Sequence, residues 1–387
     1  MMSASHVAST IALSATAGFA ASFLIVLTQD WHGKLSLDRD VAGIQKFHET
    51  PVPRIGGIAL LLGVLAAFSS GMNEYAIGQE LDDLLLLKLV IASIPAFLAG
   101  VTEDMTKRVS VKARLTATFA SALLAAWLLD AYLPRLDIWG VDALLDVAPL
   151  LAVVITAVAV AGVANSINII DGFHGVAGSA VVILLAGLGF LAWQVDDIFV
   201  TNLALIGIGA TLGFLAINYP KGRIFMGDGG AYFLGFWVAE VAVLLVLRNP
   251  GVGTWQVLAI CGYPVIEVLY SMYRRKIIRK VSPGTPDRLH LHTLIYRRLV
   301  YRLLPRNERK PWLRNAAVAW VVAAWNAVTT VVAVTVGDTT VAALAVLFVN
   351  VVMYVAVYRR LACGRWTRGR AATATAFRSR AVVRELR

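Results

Sequence analysis

Long apolar runs alternate with short polar segments from one end of the chain to the other. Runs of roughly 17–22 residues, the length that crosses a bilayer core, fall at 7–27, 55–71, 84–101, 113–133, 148–164, 176–194, 199–217, 230–247, 255–273, 315–336 and 340–358. The pattern predicts an all-α polytopic membrane protein with eleven transmembrane helices over 1–358, followed by a basic tail over 359–387. The second run is the weakest, because Gly56-Gly57 opens it and Gly63 interrupts it. Met1–Ser9 carries no Lys or Arg, so the first run reads as an uncleaved span rather than a signal peptide.

Composition agrees: 58% of residues are hydrophobic, 15% are charged and mean hydropathy is +0.72, which excludes a soluble domain. Two cysteines, Cys261 and Cys363, exclude a disulfide framework. A net charge of +11 and a pI near 9.8 raise the question of nucleic acid. Placing the charges answers it. With the N-terminus outside, 32 of the 35 Lys and Arg residues fall on the cytoplasmic side, leaving Lys88, Arg135 and Arg248. Acidic residues such as Glu74, Asp82, Asp137 and Asp142 gather on the other side. This positive-inside asymmetry puts the C-terminus in the cytoplasm and accounts for the basic pI without nucleic acid.

Against that background the polar segments stand out. Asn165-Ser-Ile-Asn168-Ile-Ile-Asp171-Gly172 places two amides and a carboxylate at a membrane edge, where unsatisfied polar groups are costly. Segments 46–57, 102–114, 218–230 and 286–292 share this character, and the topology sends all of them to the cytoplasmic face. One-sided clustering suits an enzyme joining a soluble substrate to a lipid. A transporter needs polar groups near the midplane, and the chain has no internal repeat.

Each segment can support chemistry. Asp228, between Gly227 and Gly229 at the start of an apolar helix, suits a Mg²⁺–diphosphate site or serves as a helix N-cap. The adjacent acids Glu103 and Asp104, followed by Lys107 and Arg108, can hold a divalent ion or take a proton, or form local ion pairs in a solvated loop. Asn168 and Asp171 share a face if their turn is helical, and both offer hard oxygen ligands. His290 and His292, at i and i+2, are expected to diverge, with Arg288 beside them as a phosphate clamp.

Taken together these segments resemble the polyprenyl-phosphate N-acetylhexosamine-1-phosphate transferases. The matches are Lys46-x-His48-x-x-Pro51-x-Pro53-Arg54-x-Gly56-Gly57, the acidic pair ending in Asp104, Asn165-x-x-Asn168-x-x-Asp171-Gly172, Phe225-Met226-Gly227-Asp228 and His290-x-His292. The resemblance implies transfer of a sugar 1-phosphate from a cytoplasmic UDP-N-acetyl-sugar to undecaprenyl phosphate at a bacterial inner membrane, initiating a cell-surface polysaccharide such as O-antigen. It further implies that Asn168 and Asp228 hold Mg²⁺, with Mn²⁺ able to substitute. Glu103 and Asp104 would activate the lipid phosphate, with Asp171, His290 and His292 completing the catalytic set. Lys46, His48, Arg54, Lys107, Arg114, Asn165 and Arg288 would be substrate contacts.

The chain departs from the family pattern at three points. Glu103 replaces the first Asp of an Asp-Asp pair, His174 stands where Asp or Asn is usual near the uridine, and Thr293 ends a His-x-His-His motif. Two carboxylates, Glu240 and Glu267, lie inside apolar runs. They keep a proton-coupled transporter open as an alternative, as the departures do for a catalytically inactive scaffold.

Overall fold

The computed structural model describes residues 4–38, 51–67, 79–282, 287–305, 307, 309–310 and 312–364. In chain order the helices are α1 (Ala4–Leu27), α2 (Gln29–Ser36), α3 (Gly56–Leu65), α4 (Gln79–Thr106), α5 (Val111–Leu129), α6 (Val141–Val147), α7 (Pro149–Ile170), α8 (Val176–Gln194), α9 (Ile198–Asn218) and α10 (Gly227–Arg248). There follow α11 (Thr254–Ile260), α12 (Gly262–Tyr273), α13 (Leu291–Leu294), α14 (Tyr301–Leu303), α15 (Leu313–Val336) and α16 (Thr340–Ala362). A π-helical turn, Arg274–Ile278, extends α12, and another, Ile295–Val300, joins α13 to α14. Two short strands, β1 (Leu37–Asp38) and β2 (Val52–Pro53), pair antiparallel.

The protein is all-α and membrane-embedded. Among the described residues eight helices are long and apolar enough to cross a membrane, nine if α11 and α12, bent by 81° at Cys261, count as one span. The remaining two of the eleven expected positions also carry helices. α3 is ten residues long as described, and α5 is diluted by Lys112 and Arg114 in its first turn. Helix starts follow local chemistry. The Ser110 hydroxyl accepts from the Ala113 amide at 3.2 Å, Asp197 from Val200 at 3.1 Å, Thr339 from Ala342 at 3.2 Å, and Pro149 opens α7 where its missing N–H costs nothing.

α10 is the axis of the bundle: every residue from Gly229 to Val246 is buried, as an all-round apolar helix requires. α16, by contrast, turns Val341, Phe348 and Val352 outward, as suits lipid. The helix extends to Ala362, so the expected tail begins inside its last turn, and residues beyond Gly364 lie outside the described set. Two of the three cations expected on the far side of the membrane are satisfied there. Arg135 donates to the carbonyls of Pro250 at 2.9 Å and Val252 at 2.7 Å, and Arg248 pairs with Asp197 at 2.8 Å.

At the opposite end the starts of α3, α5, α10 and α13 meet the ends of α4, α7, α9 and α12. Close approach there depends on Gly57, where a Cβ would come within 2.4 Å of the Gly230 amide nitrogen. The Phe225 amide donates to the Pro53 carbonyl at 2.8 Å, and the Gly56 amide to the Phe225 carbonyl at 3.0 Å. The segments before α3 and before α10 are thereby laced into one ledge.

Candidate active site

That end of the bundle holds a cavity of about 780 Å³. Arg54, Arg114, Asn165, Asn168, Asp171, Asp228, His290 and His292 line it, drawing on every polar segment singled out in the sequence. The segments are not all loops. α4 runs through Asp104 to Thr106 and α7 runs through Asn168 to Ile170, so these side chains sit on the last turns of helices. Asp171 caps α7, and the helical turn before it brings Asn168 and Asp171 to the same cavity.

Asp228 is in the first turn of α10 but does not cap it. The cap comes from α4. Asp104 accepts from the Asp228 amide at 2.9 Å through Oδ1 and from the Gly229 amide at 2.8 Å through Oδ2. A buried carboxylate at a helix N-terminus satisfies orphan N–H groups and favours the dipole. Gly227 makes the fit possible: its φ is +71°, and a Cβ would come within 2.0 Å of the Arg54 carbonyl oxygen.

With its own amide held this way, Asp228 turns its carboxylate to the cavity. Asn168 Nδ2 donates to Asp228 Oδ1 at 3.1 Å, Arg114 pairs with Oδ2, and Arg54 Nη2 lies 3.6 Å from Oδ1. Arg54 also stands 3.3 Å from Asp104 and 3.8 Å from Asp38 on β1. The Arg114 guanidinium lies over the Tyr232 ring at 5.9 Å, and the Tyr232 hydroxyl donates to Asn165 Oδ1 at 3.3 Å. No described residue hydrogen-bonds the Asp171 carboxylate. Its recessed position pushes it up to about 7, against the pull of Arg54.

The donor set suits a hard divalent cation. Magnesium takes one or two carboxylates and leaves its other positions to water and substrate phosphates. Asp228 and Asp171 face one cavity, and Asn168, donating through Nδ2, keeps its carbonyl oxygen for a ligand. Among the described residues no group of three or more His, Cys, Asp or Glu side chains forms an all-protein cage.

On the far wall His290 and His292 do not diverge. The turn from extended backbone at His290 into α13 brings their rings into a stack, centroids 5.4 Å apart and 8° from parallel. His292 also meets the Phe173 ring edge-on at 5.7 Å. Burial, then the neighbouring His290, pushes His292 down to about 4, so it is neutral near pH 7.

Several expected site residues stand elsewhere. Glu103 accepts from the Val109 amide at 2.7 Å and shapes the turn between α4 and α5 rather than lining the cavity. Lys107 and Arg288 are exposed and outside the lining. Lys46 and His48 lie outside the described residues. Conversely, the lining includes Asp38, Lys112, Arg275, Asp287 and Asn218. Asn218 accepts from the Gly175 amide at 2.8 Å and donates to the Ile224 carbonyl at 2.6 Å, which binds the 172–175 turn to the loop before α10. An amide closing an apolar helix was the available signal. His174, the departure near the expected uridine site, stacks on Phe225 at 5.9 Å.

The model of glycosyl transferase family 4 matches residues 86–246, the stretch carrying Asp104, Arg114, Asn168, Asp171 and Asp228. Over that stretch the chain is similar to glycosyl transferase family 4. A probable undecaprenyl-phosphate N-acetylglucosaminyl 1-phosphate transferase of Bacillus subtilis is 28% identical over 251 residues, 64% of this chain and 66% of that protein. An undecaprenyl-phosphate alpha-N-acetylglucosaminyl 1-phosphate transferase of Thermotoga maritima is 26% identical over 256 residues, 66% of this chain and 72% of that protein. A decaprenyl-phosphate N-acetylglucosaminephosphotransferase of Mycobacterium leprae is 28% identical over 271 residues, 63% of this chain and 66% of that protein. Arg54 and the His290–His292 pair lie outside the segment that the family model matches.

Proposed function

We propose that this protein transfers N-acetylglucosamine 1-phosphate, or a closely related N-acetylhexosamine 1-phosphate, from a UDP-sugar to undecaprenyl phosphate, releasing UMP. The carrying observation is Asp228, held by Asn168, Arg54 and Arg114 in one cavity assembled from all the polar segments. The names of the relatives support the same reaction.

In this reaction an oxygen of the lipid phosphate bonds to the sugar-bearing phosphorus of the UDP-sugar, and the bond from that phosphorus to the bridging oxygen breaks, with UMP leaving. Anion must meet anion, so the site's work is charge neutralisation and in-line placement. Arg54, Arg114, Lys112 and Arg275 supply cationic groups around the cavity. Asp228 and Asn168 would hold Mg²⁺, which when bound supplies counter-charge to the diphosphate. Asp104 is committed to the amides of α10 and positions Asp228. Asp171, titrating near neutrality, is the carboxylate left to accept a proton from the acceptor phosphate.

We further infer eleven crossings, with the N-terminus outside and the cavity open to the cytoplasm of a bacterial inner membrane. The distribution of 32 of 35 Lys and Arg residues supports that orientation. The product would serve as the lipid-linked first sugar of O-antigen or another surface polysaccharide. Purified protein incubated with undecaprenyl phosphate, Mg²⁺ and UDP-GlcNAc should release UMP and form a lipid diphosphate-sugar. No UMP from any of a panel of UDP-N-acetyl-sugars would reject the reading.

A further inference from the structure

Beyond the segment that the family model matches lies a second cluster of buried polar groups, centred on Glu267 of α12. Its oxygens accept four hydrogen bonds. His290 Nδ1 lies 2.9 Å from Oε1. The Leu291 amide donates to Oε1 at 3.3 Å and to Oε2 at 3.1 Å, and the Tyr354 hydroxyl donates to Oε2 at 2.9 Å. A carboxylate taken out of water is expensive to keep unless donors surround it, and here they do. One is the ring of a cavity-lining histidine.

The opposite side of that ring is equally defined. His290 Nε2 is 3.8 Å from Asp287 Oδ2. Asp287 is held by Arg274, by the Ser271 hydroxyl at 3.3 Å and by the Leu289 amide at 3.1 Å. Burial would raise the Asp287 carboxyl, but the Arg274 hydrogen bond and His290 outweigh it and hold it below the ordinary range. The titratable and charged groups around the pair are therefore Asp287, His292, Arg274, Tyr263, Tyr354 and Tyr358. With Glu267 Oε1 as the acceptor, Nδ1 carries the hydrogen, and Nε2 is the nitrogen left for another partner.

α16 adds an independent observation. Most of this helix faces outward, yet Tyr354 and Tyr358 are 1% and 2% exposed, packed on Glu267, Tyr270 and Arg274. We propose that Glu267 is a positioning residue: it holds His290 with the hydrogen on Nδ1, so that Nε2 in its protonated form meets a phosphate oxygen of the UDP-sugar, and Tyr354 fixes Glu267 from α16. The role rests on the transferase reading above. A bland alternative is that Glu267 only caps α13 through the Leu291 amide.

Glu267→Gln keeps the size and one acceptor while removing the charge. It should lower kcat about 10–100-fold, the usual range for a residue that orients a functional histidine, with KM for UDP-GlcNAc changed by less than about threefold. Glu267→Gln also removes the charge beside the ring, so the alkaline limb of kcat should move to lower pH. Tyr354→Phe should move both readouts in the same direction by a smaller amount. An activity-independent measurement accompanies them: the pH midpoint of diethylpyrocarbonate modification at His290, read by peptide mass spectrometry, should fall in Glu267→Gln. An unchanged midpoint, or a rate loss that only follows lower thermal stability, overturns the proposal. A parent protein that releases no UMP counts against the transferase reading, and the His290 midpoint still decides the role of Glu267.

Discussion

Asp104 binds the backbone of Asp228, and through it decides where the Asp228 carboxylate points. Asp104→Asn replaces one acceptor by an amide that faces a backbone N–H. It should cost about 1–3 kcal/mol of stability and reduce turnover by about tenfold or more. Unfolding in detergent, followed beside UMP release, measures both. Unchanged stability would mean that the cap is dispensable.

Glu103 has a lighter task. Its carboxylate meets the Val109 amide, and glutamine presents the same acceptor. Glu103→Gln should therefore keep turnover within about threefold of the parent. A loss as deep as that of Asp104→Asn would restore a chemical role to the pair.

Asp171 gives a pH-dependent prediction. In the fold it keeps its proton up to about 7, against 3.8 for an ordinary aspartate. The folded chain binds more protons than the unfolded chain between those values. The stability tied to this carboxyl is therefore complete below 3.8 and is lost as pH rises through about 7. Asp171→Asn should stabilise the protein by on the order of 1–2 kcal/mol at pH 8, after screening by water in the cavity, and hardly at all at pH 4. It should also abolish UMP release. Equal stability shifts at both pH values would contradict the raised titration.

Metal dependence follows from the oxygen donors at Asp228 and Asn168. EDTA should abolish UMP release and Mg²⁺ should restore it, whereas Asp228→Ala should stay inactive at every Mg²⁺ concentration while still folding. Near-parent turnover in that variant would remove Asp228 from the site.

Orientation is open to direct labelling. In a chain carrying Cys363→Ser, a cysteine in place of Trp139, which is 98% exposed, should react with an impermeant thiol reagent on intact cells. A cysteine in place of Arg288 should react only after lysis. The opposite pattern would place the cavity outside.

The apolar runs made the helices legible, because each turn of a membrane helix must find apolar surroundings. The cavity's main residues were legible for the complementary reason: amides and carboxylates such as Asn168 and Asp228 are costly at a membrane edge. What could not be read was pairing. Asp104 and the Asp228 amide are 124 residues apart, and nothing local distinguishes an acid that caps a distant helix from one that meets substrate. The histidine pair was misjudged because i, i+2 spacing assumes one regular element, whereas His290 is extended and His292 is helical. Arg275 and Asp287 sat inconspicuously in a basic loop, and only the bend before α12 and the π-helical turn beyond it carry them to the cavity wall.

A helix with its own cap can settle into the bilayer as soon as it leaves the ribosome. α10 opens with Gly-Asp-Gly-Gly and waits for an acid delivered by a segment synthesised more than a hundred residues earlier. Until the two meet, the first amides of α10 lack their acceptor and Asp104 lacks its donors. Assembly of the cavity is therefore the same event as completion of the bundle.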